Sequence, residues 1–394
     1  MKIYLFDTPE AHQNLLPLSF TRPLALFRCG ILTIIEKWQK YLDAECSFLP
    51  IEYLREKFGP ENLTDKVSSD LFIAGNLLPE KEIIDIISQL NDGEGVYRND
   101  DLMIFRGSYS DFENKKINKK EFTGEFHVLD YVFDIFLKNG EEIKKDFKLI
   151  TEGRTSAPLP ACIRTLCSSE KTQGEIFIEE GAVVECATIN VSEGPVYIGK
   201  DSILMEGACI RGPFAMCEGG EVRMGAKIYE ATTIGPHCKV GGEVSNTIFF
   251  GYSNKAHDGY LGNAVIGEWC NIGAGANASN LKNDYSLIRV WNYRTHSFMR
   301  TDLQFCGLIM GDHSKIGVNC MINTATVMGV GVNLHGAGFP RTFVPCFCEG
   351  SPAAGFSQVP FKKFIDVAER VMSRRDITPS SSDISLLKYI YENA

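Results

Sequence analysis

No two cysteines in this chain have the C-x-x-C spacing, although thirteen cysteines are present. The closest pair is Cys346 and Cys348, and the seven histidines are too sparse to complete a zinc cluster with them. An odd set of scattered thiols reads as buried, reduced cysteine in a cytoplasmic protein, not as a disulfide framework. Long apolar runs are missing as well. No segment approaches the ~20 residues a membrane span requires, and the opening MKIYLFDTPEAHQN turns polar after six residues, unlike a signal peptide. Basic runs are absent too, with 40 Lys and Arg against 50 Asp and Glu and a net charge of −10. That balance excludes a nucleic-acid footprint. It leaves room for small anionic substrates, which need only a few local Arg or Lys. The expectation is a cytoplasmic protein with neither membrane nor nucleic acid as partner.

What is present is enough chain, 394 residues, for two domains of ordinary globular composition, 44% hydrophobic and 23% charged. Residues 1–155 alternate strand-like and helix-like segments. MKIYLF is a short apolar strand, and GILTIIEKWQKYLDAE sets Ile31, Ile34, Ile35, Trp38 and Leu42 on one helical face. DLFIAGNLLP reads as a buried strand, and EKEIIDIISQLNDG as an amphipathic helix closed by Gly. Such alternation predicts an α/β domain with a mostly parallel, Rossmann-like sheet. TSAPLPACI opens a linker over 156–174.

From 175 to 348 the period becomes six. Ile198, Leu204 and Ile210 keep it, as do Val222, Ile228, Ile234 and Val240, then Tyr260, Ile266, Ile272 and Ala278. Met310, Ile316, Ile322, Met328 and Leu334 resume it. Neither a helix nor a single strand repeats at six, whereas β-helix solenoids do. Small residues such as Cys238, Cys270, Ala276, Cys320 and Thr326 recur at position five, where a triangular coil turns its corner. The pattern resembles the left-handed parallel β-helix of hexapeptide-repeat acyltransferases. The gap between Ala278 and Met310 predicts a loop on one face. Residues 349–394 form a helical tail expected to cover the end of the prism.

Within the repeat, KAHDGYLGNAVIGEWCNIGAG stands out. It is similar to the segment KAxHxxYLGDAxIGxxxNIGAG of the bifunctional N-acetylglucosamine-1-phosphate uridylyltransferase/glucosamine-1-phosphate acetyltransferase family. It also resembles the archaeal sugar-1-phosphate nucleotidylyltransferase/acetyltransferases, and the likeness spans roughly forty residues from Gly241 to Asp284. A His titrating near neutral pH suits deprotonation of an attacking amine. The resemblance makes His257 that general base and Glu243 the residue that orients it. It assigns Tyr260, Asn271 and Asn280 to the sugar and its phosphate, and Gly273, Ala274 and Gly275 to the acetyl-CoA thioester arm. Either Arg211 or Arg223 supplies the phosphate-binding arginine. Where bacterial members carry a Lys pair after the Glu, this chain has Ser245 and Asn246.

In the N-terminal half, LLPLSFTRPLALFRCGILTIIEKW resembles the stretch that follows the GxGTRM loop of sugar nucleotidyltransferases. Here FDTPEAHQN replaces that loop and has no glycine. Arg22 and Arg28 are the candidate nucleotide-binding residues. Asn76 occupies the slot of the family's magnesium-binding Asp, and a neutral amide is the poorer magnesium ligand; Asp70, Asp100 and Asp101 are the alternative carboxylates. The resemblance implies a sugar-phosphate transferase that acetylates an amino-sugar 1-phosphate from acetyl-CoA as a homotrimer. Its first domain is a second, degenerate site for UTP or dTTP with Mg2+. The competing readings are a sugar-1-phosphate nucleotidyltransferase whose β-helix only trimerises, and a non-catalytic assembly protein.

Overall fold

A computed structural model describes residues 2–60, 69–167 and 175–394. Backbone packing divides the chain into two units, one of residues 1–15, 21–27 and 32–131, the other of 16–20, 28–31 and 132–394. No helix among the described residues is long and apolar enough to cross a membrane. Part of the expected linker is a strand, Arg164–Leu166, paired with Thr188–Asn190, while 168–174 lie outside the described residues.

In the first unit β1 (Ile3–Phe6), β2 (Cys46–Leu49), β3 (Asp70–Ala74), β4 (Glu94–Arg98), β5 (Asp101–Gly107) and β6 (Asn118–Lys120) form one sheet in the order β2-β1-β3-β5-β4-β6. The expected parallel pairing holds for β2-β1-β3, in which Ile3 faces Cys46 and Leu71. Beyond β3 the sheet is mixed, because β4 and β5 are joined by only two residues and so must pair antiparallel. The connections include α1 (Pro9–Asn14), α2 (Ile34–Leu42), α3 (Arg55–Phe58), α4 (Lys81–Ser88) and α5 (Tyr109–Glu113). A capping box between Thr33 and Glu36 starts α2 at Ile34, so Ile31 precedes the helix instead of lying on its apolar face. Trp38 is fully buried and spends its indole N–H on the Leu77 carbonyl at 2.8 Å.

The second unit is a parallel β-helix of the hexapeptide-repeat kind. Three columns of inward residues run up its three faces, each in parallel register. One holds Ile198, Met216, Ile234, Phe249, Ile266, Met310 and Met328. A second holds Ile210, Ile228, Val244 and Leu261, with Ala278 and Ile322 above. The third holds Leu204, Val222, Val240 and then Lys255. Cys238, Cys270 and Cys320 are buried at the corners, where a larger side chain has no room. The strict count of six fails between Val240 and Ile266, where the inward slots fall at Val240, Val244, Phe249, Lys255, Leu261 and Ile266, so that Leu261, not Tyr260, faces the core. The strand Tyr260–Glu268 runs on around a corner, so the step to Ile266 is five, and Tyr260 points outward.

Helix α6 (Asp134–Thr151) belongs to this unit and lies across one face. It is stitched there by buried polar contacts. Asn139 donates to the Ala231 carbonyl at 2.7 Å and accepts from Gly30 N–H at 2.7 Å, and Asp146 accepts from Ile31 N–H at 2.8 Å. The expected loop after Ala278 contains an antiparallel hairpin, Arg289–Asn292 with Ser297–Arg300. The last coil is closed by a second hairpin, Cys348–Ser351 with Gly355–Gln358, which covers a parallel edge. The terminal helices α7 (Phe361–Ser373) and α8 (Ser381–Asn393) do more than the expected end-capping. Phe364 packs on His313 and Phe347, and Arg375 reaches the His237 carbonyl, so the tail lies along several coils.

Candidate functional site

One corner of the prism turns through left-handed residues coil after coil: Gly225 (φ 67°), Gly242 (76°), Gly259 (125°), Gly275 (69°) and Asn319 (54°). Glycine suits this column because it enters positive φ without a Cβ penalty. At Gly259 a Cβ would also run into the Ala276 carbonyl. His257 projects from this corner, between the strands Asn254–Lys255 and Tyr260–Glu268, and is exposed. Its imidazole makes no hydrogen bond or ion pair among the described residues. The turn Gly273-Ala274-Gly275 stacks directly above, with Gly275 N–H donating to the Asp258 carbonyl at 2.9 Å.

Inside the turn that carries His257 lies a residue that periodicity alone disguises. Lys255 occupies an inward slot in register with Val240 and is 1% exposed. A buried ammonium must find acceptors. Here Nζ donates to the His257 carbonyl at 2.6 Å and to the Gly241 carbonyl at 3.1 Å, tying the turn that carries His257 to the coil below. Burial pulls its pKa down to about 8, with the Asp258 charge opposing the shift.

On one adjoining face Glu243, Tyr260 and Asn280 come together. Glu243 and Tyr260 are paired in register, and the Tyr260 hydroxyl accepts from Asn280 Nδ2 at 2.9 Å. Asn280 donates also to Asn263 Oδ1 at 2.8 Å. Gly262 leaves the space for this contact, since a Cβ there would strike the Tyr260 hydroxyl. Burial raises the Tyr260 pKa, the bond from Asn280 opposes it, and the Glu243 carboxylate adds to the rise. Glu243 makes no hydrogen bond to His257; its backbone N–H donates to Gly259, which fixes it beside the same turn.

The other adjoining face carries Asn271, exposed and in register with Asn254 and Lys315. His257 thus stands at the corner between the Asn271 face and the Tyr260 face. Neither candidate arginine lies on its coil. Arg211 is exposed beside Ile210, three coils below Leu261, and Arg223 is two coils below Lys255, ion-paired with Glu221 at 3.0 Å. Arg375, on the tail, also reaches the Asn271 face. The tail brings it to Asn254 Oδ1 at 3.2 Å, a contact across 121 residues that no local pattern signals.

The N-terminal candidates Arg22, Arg28 and Asn76 are all buried. Arg22 is buried in the first unit, whereas Arg28 belongs to the second, where it donates to the Ile31 carbonyl and the Cys217 thiol. Asn76 is buried, and its Nδ2 donates to the Leu129 carbonyl at 3.1 Å, which commits the amide to holding the chain. Asp70 lies at the amino end of β3, accepting from Lys2 N–H, and Asp100 sits in the β4–β5 turn with Asp101 beginning β5. No group of three His, Cys, Asp or Glu among the described residues is placed to hold a metal ion. These residues do not fit magnesium.

The carboxylate at the carboxyl ends of β1 and β3, where open α/β sheets bind ligands, is instead Asp7. Its Oδ1 accepts from Leu24 N–H at 3.1 Å and lies against Gly75. Although the residue as a whole keeps some exposure, Oδ2 is enclosed and has no partner among the described residues. Burial raises the Asp7 pKa to about 8, and the Leu24 hydrogen bond opposes it. A lone Asp after a strand gave no signal in the sequence.

Residues 3–155 match the family model described as sugar nucleotidyl transferase. The bifunctional protein GlmU of Gloeobacter violaceus is 30% identical over 115 residues, 29% of this chain and 21% of the relative. The chain thus matches about a fifth of the length of that relative. Among solved structures, the polysialic acid O-acetyltransferase OatWY is similar over 50% of this chain and 87% of its own, at 11% identity and a TM-score of 0.26. AntD, an N-acyltransferase from Bacillus cereus, is similar over 54% and 92%, at 9% identity and a TM-score of 0.23. Residues 3–155 thus resemble sugar nucleotidyl transferases, and 29% of the chain resembles part of GlmU.

Proposed function

We propose that this chain is a sugar-phosphate transferase whose β-helix moves an acetyl group from acetyl-CoA to the amine of an amino-sugar 1-phosphate. The carrying observation is His257, exposed at a corner between a face bearing Asn271 and a face bearing Tyr260 and Asn280. In this reading the neutral imidazole takes a proton as the amine nitrogen attacks the thioester carbonyl. The C–S bond then breaks, and the departing thiolate receives a proton. Tyr260, Asn280 and Asn271 hold the sugar, and Glu243 supplies negative charge beside the turn. The backbone at Gly273–Gly275 allows the pantetheine arm to approach closely.

The domain at 3–155 accompanies this activity with a nucleotide site that lacks a metal carboxylate at position 76. Sugar nucleotidyl transfer by that domain is the second reading, favoured by the family match. Purified protein supplied with acetyl-CoA and glucosamine 1-phosphate, and separately with UTP or dTTP and sugar 1-phosphates, tests both. His257→Ala and His257→Asn are expected to lose acetyl transfer by about two to four orders of magnitude, with unchanged circular dichroism. Near-normal turnover in either variant removes His257 from the chemistry.

A further inference from the structure

Above Asn280 the β-helix unit holds two adjoining hollows, about 870 and 660 Å3, which share Phe298, Phe339 and Thr342. The lower one begins at Ser279, next to the Asn280 that bonds Tyr260. The two make one trough leading from the candidate site along the hairpin Arg289–Arg300. Its upper wall is aromatic. Trp291 stacks on Phe343 at 4.2 Å and meets the edge of Phe298 at 5.3 Å. Phe298 is 42% and Phe339 56% exposed, an unusual amount of aromatic surface to leave in water.

Charge points the same way: Arg289 lines the lower hollow together with Lys282 and Asp284, and Arg300 lies beside it on the facing strand. Arg289 and Arg300 sit directly opposite each other in the hairpin register. Like charges so placed repel and destabilise the strand pair. Arg341 lines the aromatic end. None of these three guanidiniums has a hydrogen bond or ion pair among the described residues, in a chain whose net charge is −10. Three unneutralised arginines beside open aromatic rings suit a ligand that presents a planar base and a phosphate chain together.

We propose that this trough binds the nucleoside diphosphate portion of a substrate, the base among Trp291, Phe298 and Phe339, the phosphates on Arg289, Arg300 and Arg341. The inference rests on the reading of the β-helix as a transferase, because the trough opens beside that site. A nucleoside diphosphate can arrive as the adenosine end of coenzyme A or as the carrier of a nucleotide-linked sugar, and the test separates the two.

Calorimetric titration of the full chain with 3′,5′-ADP, ADP, UDP and dTDP is expected to give a Kd of roughly 1 mM or tighter for at least one. Displacement of that nucleotide by acetyl-CoA marks the coenzyme end; failure of acetyl-CoA to displace it marks the sugar carrier. The Arg289→Gln/Arg300→Gln pair should weaken binding about tenfold or more, and Phe339→Ala should weaken it while leaving the salt dependence intact. No binding at 5 mM (roughly −3 kcal/mol), or binding indifferent to these substitutions, overturns the proposal. So does a smaller assembly for Phe339→Ala in sedimentation, which would make the trough a subunit contact. Nucleotide binding without any acetyl transfer would sink the transferase reading and leave the trough standing.

Discussion

Asp7 and Lys255 keep their ionisable heads where water hardly reaches, and each ties stability to pH in a direction that can be worked out. Asp7 keeps its proton in the fold up to a pKa of about 8, whereas the unfolded chain releases it near pH 4. Between those values the unfolded state binds fewer protons, so this group makes stability fall as pH rises, by at most about 1.4 kcal/mol per pH unit. Asp7→Asn should remove that slope, which urea unfolding at pH 5 and pH 8 measures; an unchanged slope would show that Asp7 is ionised in the fold. For Lys255 the folded pKa, about 8, lies below the unfolded value, so its contribution to stability rises between about pH 8 and 10.5. Lys255→Met should abolish that rise. It should also lower kcat for acetyl transfer about ten- to a hundredfold with KM for acetyl-CoA little changed, because the turn under His257 loses its tether. A kcat equal to the parent would reduce Lys255 to a packing residue.

Among the elements, the corner column decides where His257 can stand. Gly225 and Gly259 both have positive φ, but a Cβ on Gly225 meets open space, whereas one on Gly259 meets the Ala276 carbonyl. Gly225→Ala should therefore cost about 1 kcal/mol from the left-handed backbone alone. Gly259→Ala should cost clearly more and impair acetyl transfer as well, since residues 257–259 must shift. Thermal unfolding and activity of the two variants, side by side, check this; equal losses would mean the coil yields at no cost. The opposite corner has the same backbone twist with different side chains. His237, Tyr252, Trp269 and His313 all take φ between 53° and 60°, and their rings stack in sequence, Tyr252 on Trp269 at 4.3 Å. Here ring stacking offsets the strain that glycine avoids at the first corner.

At the scale of the molecule, the corner that bears His257 also exposes Met224, 64%, and Val318, 68%, on coils below and above it. A convex prism edge has no wall of its own, so a second prism is needed to enclose a substrate there. We expect a trimer, checked by sedimentation at micromolar concentration. Met224→Lys with Val318→Lys should dissociate it and abolish acetyl transfer together. An active monomer would refute the shared site.

Composition and period were enough for the two architectures. Alternating strand and helix patterns implied the α/β sheet, and a hydrophobic period of six implied the β-helix, because buried faces impose their spacing on the chain. The segment around His257 stood out in the sequence because its residues are contiguous. What only tertiary structure decided depends on contacts between distant residues. The pairing of Tyr260 with Asn280 and of Arg375 with Asn254 spans 20 and 121 residues. The one-residue slip that turns Tyr260 outward follows from a strand bending through a corner, and the burial of Lys255 follows from its slot in the coil. The enclosure of Asp7 comes from Leu24 and Gly75, which the sheet brings beside it. Spacing along the chain records which side chains share a face; it does not record which faces meet.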